Sequence, residues 1–386
     1  MSKINVRNLS NENDDGAPDI VGVSTFSATS YFVPPVGTIK ERPSNPQPGD
    51  LRFNTDFACL EYFKGDTIGW TQIEMTSPDL GGGTGSNAGL GARALFTGGQ
   101  TPSNTDAIDY ITISTFGNAA DFGNLTQDRR SGHAGGSSRT RGLFAGGQHP
   151  SPFTFFNIID YITISTLGNA ADFGDLLNTT YDVSSLSGST RGLINYGTKS
   201  GFTMVNTIEY ITMSSVGTNA QDFGDLSQLR RTTGGLSSST RGLWGGGGSP
   251  SRRDTIDYVT ISTLGDAVDF GNLSQNYDDV TGGSNSIRGL FALGNGTWGD
   301  VNTIDYVTIS TTGNTSDFGD ATIAGHKQSA VTSPTRFVLG GGSLSPAYTN
   351  VIDYVQIMTT GNTVDFGDLP SERRIYGAVS NAHGGL

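Results

Sequence analysis

The chain has 386 residues, 36 acidic and 23 basic, for a net charge of −13, and only 15% of it is charged, against about 25% in an average soluble protein. That acidic field repels a phosphate backbone and sets aside nucleic-acid binding, and no run of ~20 apolar residues offers a membrane-spanning helix. Glycine fills 56 positions without a Gly-X-Y period, which excludes collagen, while Tyr, Phe, Ile, Val and Thr recur in short blocks that favour strands over disorder.

Residues 1–80 form the first expected region, an arm followed by a small β module. Met1–Arg7 leads into Asn13-Asp14-Asp15 without the apolar core of a signal peptide. Ser24 to Val33 reads as an extended arm, and Pro34-Pro35, Pro43, Pro46 and Pro48 as an irregular linker of polyproline character. Leu51–Asn54 and Ala58–Phe63, joined by a turn at Thr55-Asp56, predict a hairpin, with a third strand from Trp70 to Glu74. So small a sheet has little core of its own. Phe26, Tyr31, Phe32, Phe53, Tyr62 and Trp70 are therefore the expected partner-binding residues, directed at other chains or at copies of the same chain. Cys59 is the single cysteine, so no intrachain disulfide is available. Residues 81–92 read as a Gly-rich tether.

From residue 93 to 386 one pattern recurs. Ile108–Ser114 has counterparts centred on Tyr161, Tyr210, Tyr258, Tyr306 and Tyr354, at spacings of 51, 49, 48, 48 and 48 residues. Asp121-Phe122-Gly123-Asn124 is echoed from Asp172, Asp222, Asp269, Asp317 and Asp365. Arg141–Gly147, reading Arg-Gly-Leu-Phe-Ala-Gly-Gly, returns at Arg191, Arg241 and Arg288, and more weakly at Arg93 and Arg336. The Ile-Asp-Tyr-Ile-Thr-Ile block is β-branched and alternating, which predicts a strand, and the Gly and Asn that follow it are turn residues. Four short strands in ~48 residues make one antiparallel propeller blade. The C-terminal stretch from Arg373 to Leu386 matches Arg129–Leu143, which elsewhere leads into the next repeat. A strand within 375–386 is thus expected to complete the first blade and close a six-bladed ring. The expected fold class is all-β.

Arg-Gly-Leu-Phe-Ala-Gly-Gly, a variable loop and then Ile-Asp-Tyr resemble the kelch repeat over residues 93–386. The family's usual tryptophan is replaced by a phenylalanine twelve or thirteen residues after the tyrosine. Gly49–Asp56, continuing through Leu60-Glu61-Tyr62-Phe63 to Trp70, resembles a module of tailed-bacteriophage virion proteins. Arm and propeller together resemble fibre-like or decoration proteins of large tailed phages that infect marine cyanobacteria. The resemblance implies a virion component without enzymatic activity or cofactor, held to other virion proteins through residues 1–80 and displaying the propeller outward toward host-surface glycans. The competing expectation is a propeller-type glycan-processing enzyme, which would show two carboxylates in reach of one glycosidic bond in a pocket on the ring axis.

The repeated Asp-Phe-Gly is not a protein-kinase motif, because no Val-Ala-Ile-Lys or His-Arg-Asp accompanies it; it reads as turn chemistry around a buried Phe. The acids Asp109, Asp160, Glu209, Asp257, Asp305 and Asp353 are expected to accept backbone N–H bonds or to pair with arginine, rather than to ring a cation. His133, His149, His326 and His383 occupy non-equivalent places, which argues against a transition-metal site. Arg129-Arg130, Arg230-Arg231 and Arg373-Arg374 share a repeat position filled elsewhere by Tyr181-Asp182, Tyr277-Asp278 and His326-Lys327, which suggests an exposed, tolerant corner. Loops before each tyrosine vary most, and their aromatics Phe153, Phe155, Phe156, Phe202, Trp298 and Tyr348 are the candidate rim-loop binding residues.

Overall fold

The computed structural model describes residues 34–56, 59–72, 92–130, 136–150, 152–248, 250–344, 347–374 and 377–386. The expected arm with Phe26, Tyr31 and Phe32, and the tether through residue 91, lie outside them. The chain divides into two compact units, Met1–Ser77 and Pro78–Leu386. Among the described residues both are built from strands, with a single 3-10 turn at Ile39–Glu41.

In the first unit β1 (Val36–Gly37), β2 (Leu51–Asn54), β3 (Cys59–Phe63) and β4 (Trp70–Gln72) form one sheet in chain order. The predicted hairpin is β2 with β3, in register Leu51↔Tyr62 to Asn54↔Cys59. The parallel strand β1 arises within the stretch read as an irregular linker. Gly37 leaves room there for the guanidinium of Arg52, whose Nη2 would lie 2.6 Å from a Cβ at that position. The module's interior is ionic. Glu61 is fully buried, 2.6 Å from Arg42 and 3.5 Å from Arg52, and it accepts from Nδ2 of Asn54 at 2.9 Å.

In the second unit five of the repeats are built on four antiparallel strands, while in the second repeat the inner place is held, among the described residues, by the Ser137–Gly142 bridge alone. In the fourth the strands are Gly234–Ser237, Arg241–Gly245, Arg253–Thr260 and Val268–Tyr277; the fifth and sixth repeats have the same order. In the first repeat the innermost strand is Gly377–Ser380 from the far end of the chain, paired with Arg93–Thr97 in register Gly377↔Thr97 to Ser380↔Ala94. Only these four residues of the expected 375–386 stretch pair as a strand among the described ones; the last residues turn inward. Repeats two and three merge into one sheet because Ala171–Ser187 runs unbroken from the outer strand of one to the inner strand of the other.

The sheets are covered on both faces, so the expected alternation is only partial: Ile108 and Asp109 are both buried. Each apolar cluster joins neighbouring repeats. Leu236, Leu243, Ile256 and Phe270 of the fourth meet Phe291, Val307 and Ile309 of the fifth. Ala94, Phe96 and Ile111 of the first meet Val338, Ile352 and Phe366 of the sixth. A fully buried side chain of this size stabilises by ~1.5–3 kcal/mol.

Asp-Phe-Gly is a β-bulge rather than a turn. Asp109 pairs with Asp121 and Ile108 with Gly123, leaving Phe122 as the extra residue, and the same shift recurs in the other five repeats. The bulge drives Phe122 into the core. It also leaves Gly123 at φ 150° against the Gly168 carbonyl of the next repeat, where no Cβ fits.

Polar bonds then stitch each repeat to its successor. Nη1 of Arg241 donates to the Ile309 carbonyl at 3.1 Å while its guanidinium lies over Tyr258, 4.8 Å from the ring centroid. The amide of Asn272 donates to Oδ1 of Asn314 at 3.0 Å, and the amide of Gly313 to the Phe270 carbonyl at 2.8 Å. Each bond has a counterpart from the sixth repeat to the first: Arg336 to the Ile113 carbonyl at 2.6 Å, Asp368 to Asn118 at 3.0 Å, and Gly117 to the Phe366 carbonyl at 3.1 Å.

Candidate functional site

The repeated carboxylates have structural partners. Asp160 binds Arg129 at 2.9 Å and Asp257 binds Arg230 at 2.8 Å, all four side chains fully buried; Arg373 and Asp109 form the equivalent pair. Asp160 and Asp257 also tie down the segment leading into their own sheets, as the amide and hydroxyl of Thr126 donate to Asp160 and those of Ser227 to Asp257. Burial raises the Asp109 carboxyl above the usual range, against the pull of Arg373. Burial likewise raises Glu209, Asp305 and Asp353.

The paired arginines are therefore not an exposed corner. Their first members, Arg129, Arg230 and Arg373, are among the most buried side chains of the molecule, because a guanidinium can cap both the carboxylate and strand carbonyls such as those of Phe144 and Trp244. The strand bridges match Arg130, Tyr181, Arg231, Asp278, His326 and Arg374 with one another. Thr180 and Gly325, rather than Tyr181 and His326, thus stand in the buried arginine's place. The second acid of each repeat, Asp121, Asp172, Asp222, Asp269, Asp317 or Asp365, is exposed on the outer strand. Among the described residues no three His, Cys, Asp or Glu side chains gather as a metal set.

Three of the six rim-loop aromatics come together. Phe153 lies 5.2 Å from Phe155 and 5.7 Å from Phe202, ring centroid to centroid, and Phe155 stacks on Tyr181 at 4.7 Å. Phe153 and Phe202 remain 52% and 61% exposed. Tyr181, Phe202 and Met204 open onto a groove of about 550 Å³ that Arg231, Arg252 and Asp278 also line. Arg252 donates Nε–H to Asp278 at 3.0 Å. The other three candidates stand apart: Trp298 is 98% exposed, Phe156 borders a separate surface groove with His149, and Tyr348 lies under the guanidinium of Arg374. In the first unit Phe53, Tyr62 and Trp70 are half-buried, with Trp70 against Phe63 and beneath Arg42 and Arg52.

A second feature had no signal in the residue pattern. The innermost strands face one another around two cavities, of about 110 and 80 Å³. The first is lined by Asp182, Thr232, Asp279 and Lys327, the residues that lead into successive inner strands. His383 borders the second. Its Nε2–H donates to the Ser137 carbonyl at 2.9 Å and its Nδ1 accepts from the Gly385 amide at 3.1 Å, so the ring is neutral. Burial pushes its pKa down to about 4. Only the left-handed backbone of Asp182, Thr232, Asp279 and Lys327 marks the first cavity, and a sequence pattern does not report φ for non-glycine residues. No protein-family model matches this chain, and no curated protein matches it.

Proposed function

We propose that this chain is a structural and binding component of a tailed-phage particle. In this reading residues 1–80 attach it to other virion proteins, and residues 93–386 form a six-bladed, kelch-like propeller displayed outward toward host-surface glycans. Closure is supported by the bonds from the sixth repeat to the first and by the Gly377–Ser380 strand. The phage assignment rests on the resemblance of the N-terminal module, whose Arg52, Asn54 and Glu61 interlock as one buried group.

The observation that carries the binding role is the Phe153–Phe155–Tyr181–Phe202 cluster beside the groove. Exposed ring faces stack on the C–H face of a pyranose, and adjacent guanidinium and carboxylate groups fix its hydroxyls. The repeated carboxylates, by contrast, serve the scaffold. The test compares cell binding of the full chain with a Phe153→Ser/Phe202→Ser variant, and particle incorporation of both with a chain lacking residues 1–80. The rim variant should incorporate normally and bind host cells at least tenfold more weakly, and the truncated chain should fold but not incorporate. Undiminished binding by the rim variant would remove the binding assignment.

The second reading, a glycan-processing enzyme, is favoured by one observation: Asp182 and Asp279 line a single cavity between the inner strands. Release of reducing ends from host polysaccharide, lost in Asp182→Asn, would mark that activity.

A further inference from the structure

The cavity at Asp182, Thr232, Asp279 and Lys327 is separate from the rim cluster and has its own chemistry. These four residues hold φ of 57°, 56°, 55° and 56°, a conformation unfavourable for side chains other than glycine. Repeating it at four successive junctions brings four polar side chains to one space. Each carboxylate of that lining faces a base. Asp182 lies 3.4 Å from Nη1 of Arg231, which reaches it from outside the lining, and Asp279 lies 3.6 Å from Nζ of Lys327. Both contacts are long for charge-assisted hydrogen bonds, which leaves acceptor capacity on the carboxylates and donor capacity on the ammonium.

That pairing selects the ligand. An anion would meet Asp182 and Asp279 in a buried space, and a metal ion would have to displace Lys327 and Arg231. An apolar molecule would strand the charges without replacing their water. A neutral polyol offers hydroxyls that donate to the carboxylates and accept from Lys327 and from the hydroxyl of Thr232, which also lines the space and itself accepts from the Asp279 amide. At about 110 Å³ the cavity far exceeds the ~10–15 Å³ that one water needs.

We propose that this cavity is a second binding site, for a single neutral polyhydroxylated ligand of the monosaccharide class. Asp182 and Asp279 act as acceptors there, and Lys327 and Thr232 as donors. Burial and the neighbouring Asp279 push the Asp182 carboxyl up to about 7, so it can also donate near neutral pH. The site does not depend on the particle assignment, and it shares only Arg231, the partner of Asp182, with the rim groove.

Saturation-transfer NMR on the full chain, with free glucose, galactose, mannose and N-acetylglucosamine as probes, tests the proposal; glucuronate and calcium chloride serve as controls. At least one neutral sugar should show transfer. Its affinity should fall at least tenfold in Asp182→Ala and in Thr232→Ala, and should be unchanged in Phe202→Ser. Thr232→Ala removes no charge, so it keeps the test decisive if Asp182→Ala does not fold. The proposal is overturned if no neutral sugar binds, or if only glucuronate or calcium binds. Transfer that survives Thr232→Ala, or that vanishes in Phe202→Ser, overturns it equally.

Discussion

Substituting Asp257 by Ala isolates the energetics of the buried pairs that anchor three of the repeats. Asp257 accepts from Nη2 of Arg230 at 2.8 Å, from the Ser227 amide at 3.0 Å and from the Ser227 hydroxyl at 2.7 Å. Removing one partner of a fully buried ion pair costs ~3–5 kcal/mol, because the remaining charge stays desolvated. Arg230 keeps the Trp244, Gly246 and Thr255 carbonyls at 3.2, 3.2 and 2.5 Å, which sets the expectation near the lower end, ~3 kcal/mol. The fifth repeat supplies an internal control, since Tyr277 occupies the arginine's place there while the Ser274 amide still donates to Asp305 at 2.9 Å. Adding Arg230→Tyr to Asp257→Ala therefore removes the charge that Asp257→Ala strands, and the double variant should cost at most ~2 kcal/mol. Urea unfolding of both variants, followed through the buried Trp244, gives the two midpoints. The reasoning is refuted if Asp257→Ala shifts stability by less than ~1 kcal/mol, or if the double variant costs as much as Asp257→Ala alone.

Three further outcomes follow from the same structure. Gly271→Ala places a Cβ against the Gly313 carbonyl at φ 150° and should cost more than ~1 kcal/mol, read as a lower thermal midpoint; Gly313→Ala, whose Cβ meets nothing within 4 Å, separates crowding from backbone strain. His383 is held neutral with its pKa down near 4, below its unfolded value of ~6.5. Its stabilising contribution is thus complete above ~6.5 and is lost as pH falls toward 4, by up to ~3 kcal/mol. Thermal melts between pH 7.5 and 4.5 should show this slope, reduced in His383→Gln. In the first unit the hydrogen bond from Arg42 holds the Glu61 carboxyl below the usual range, so its stabilisation is present above ~4.3 and lost as pH falls through the folded value. Glu61→Gln should raise the susceptibility of residues 34–72 to limited proteolysis at pH 7.

Much of the architecture was legible because the residues that form it recur. The Ile-Asp-Tyr strands, the Arg-Gly-Leu-Phe strands and the return of the C-terminus to Arg93–Thr97 all follow from the repeat spacing, and the hairpin at Leu51–Phe63 follows from alternation around Thr55-Asp56. What escaped depends on three-dimensional register. Phe122 became a bulge because its strand gains one residue on its partner, which no single-strand pattern reports. Arg129 and Arg230 looked like surface residues because arginine is seldom buried unless paired, and their partners Asp160 and Asp257 lie about thirty residues downstream. Gly384-Gly385 belong to the stretch expected to supply the closing strand, yet they lie beyond it, and a Cβ on Gly385 would collide with the Ser187 carbonyl. Among the rim aromatics, Phe153, Phe155 and Phe202 converge because their loops belong to adjacent repeats, while Trp298 and Tyr348 lie on later repeats and remain separate.

The most direct measurement is a cryo-electron-microscopy reconstruction of particles carrying the full chain, compared with particles made with the chain lacking residues 1–80. The predicted result is a six-lobed ring standing off the particle surface, joined to it through the N-terminal unit, with the Phe153 and Phe202 loops facing solvent and the ring missing in the truncated case. A ring with another number of lobes, an open arc, or full occupancy without residues 1–80 would contradict it.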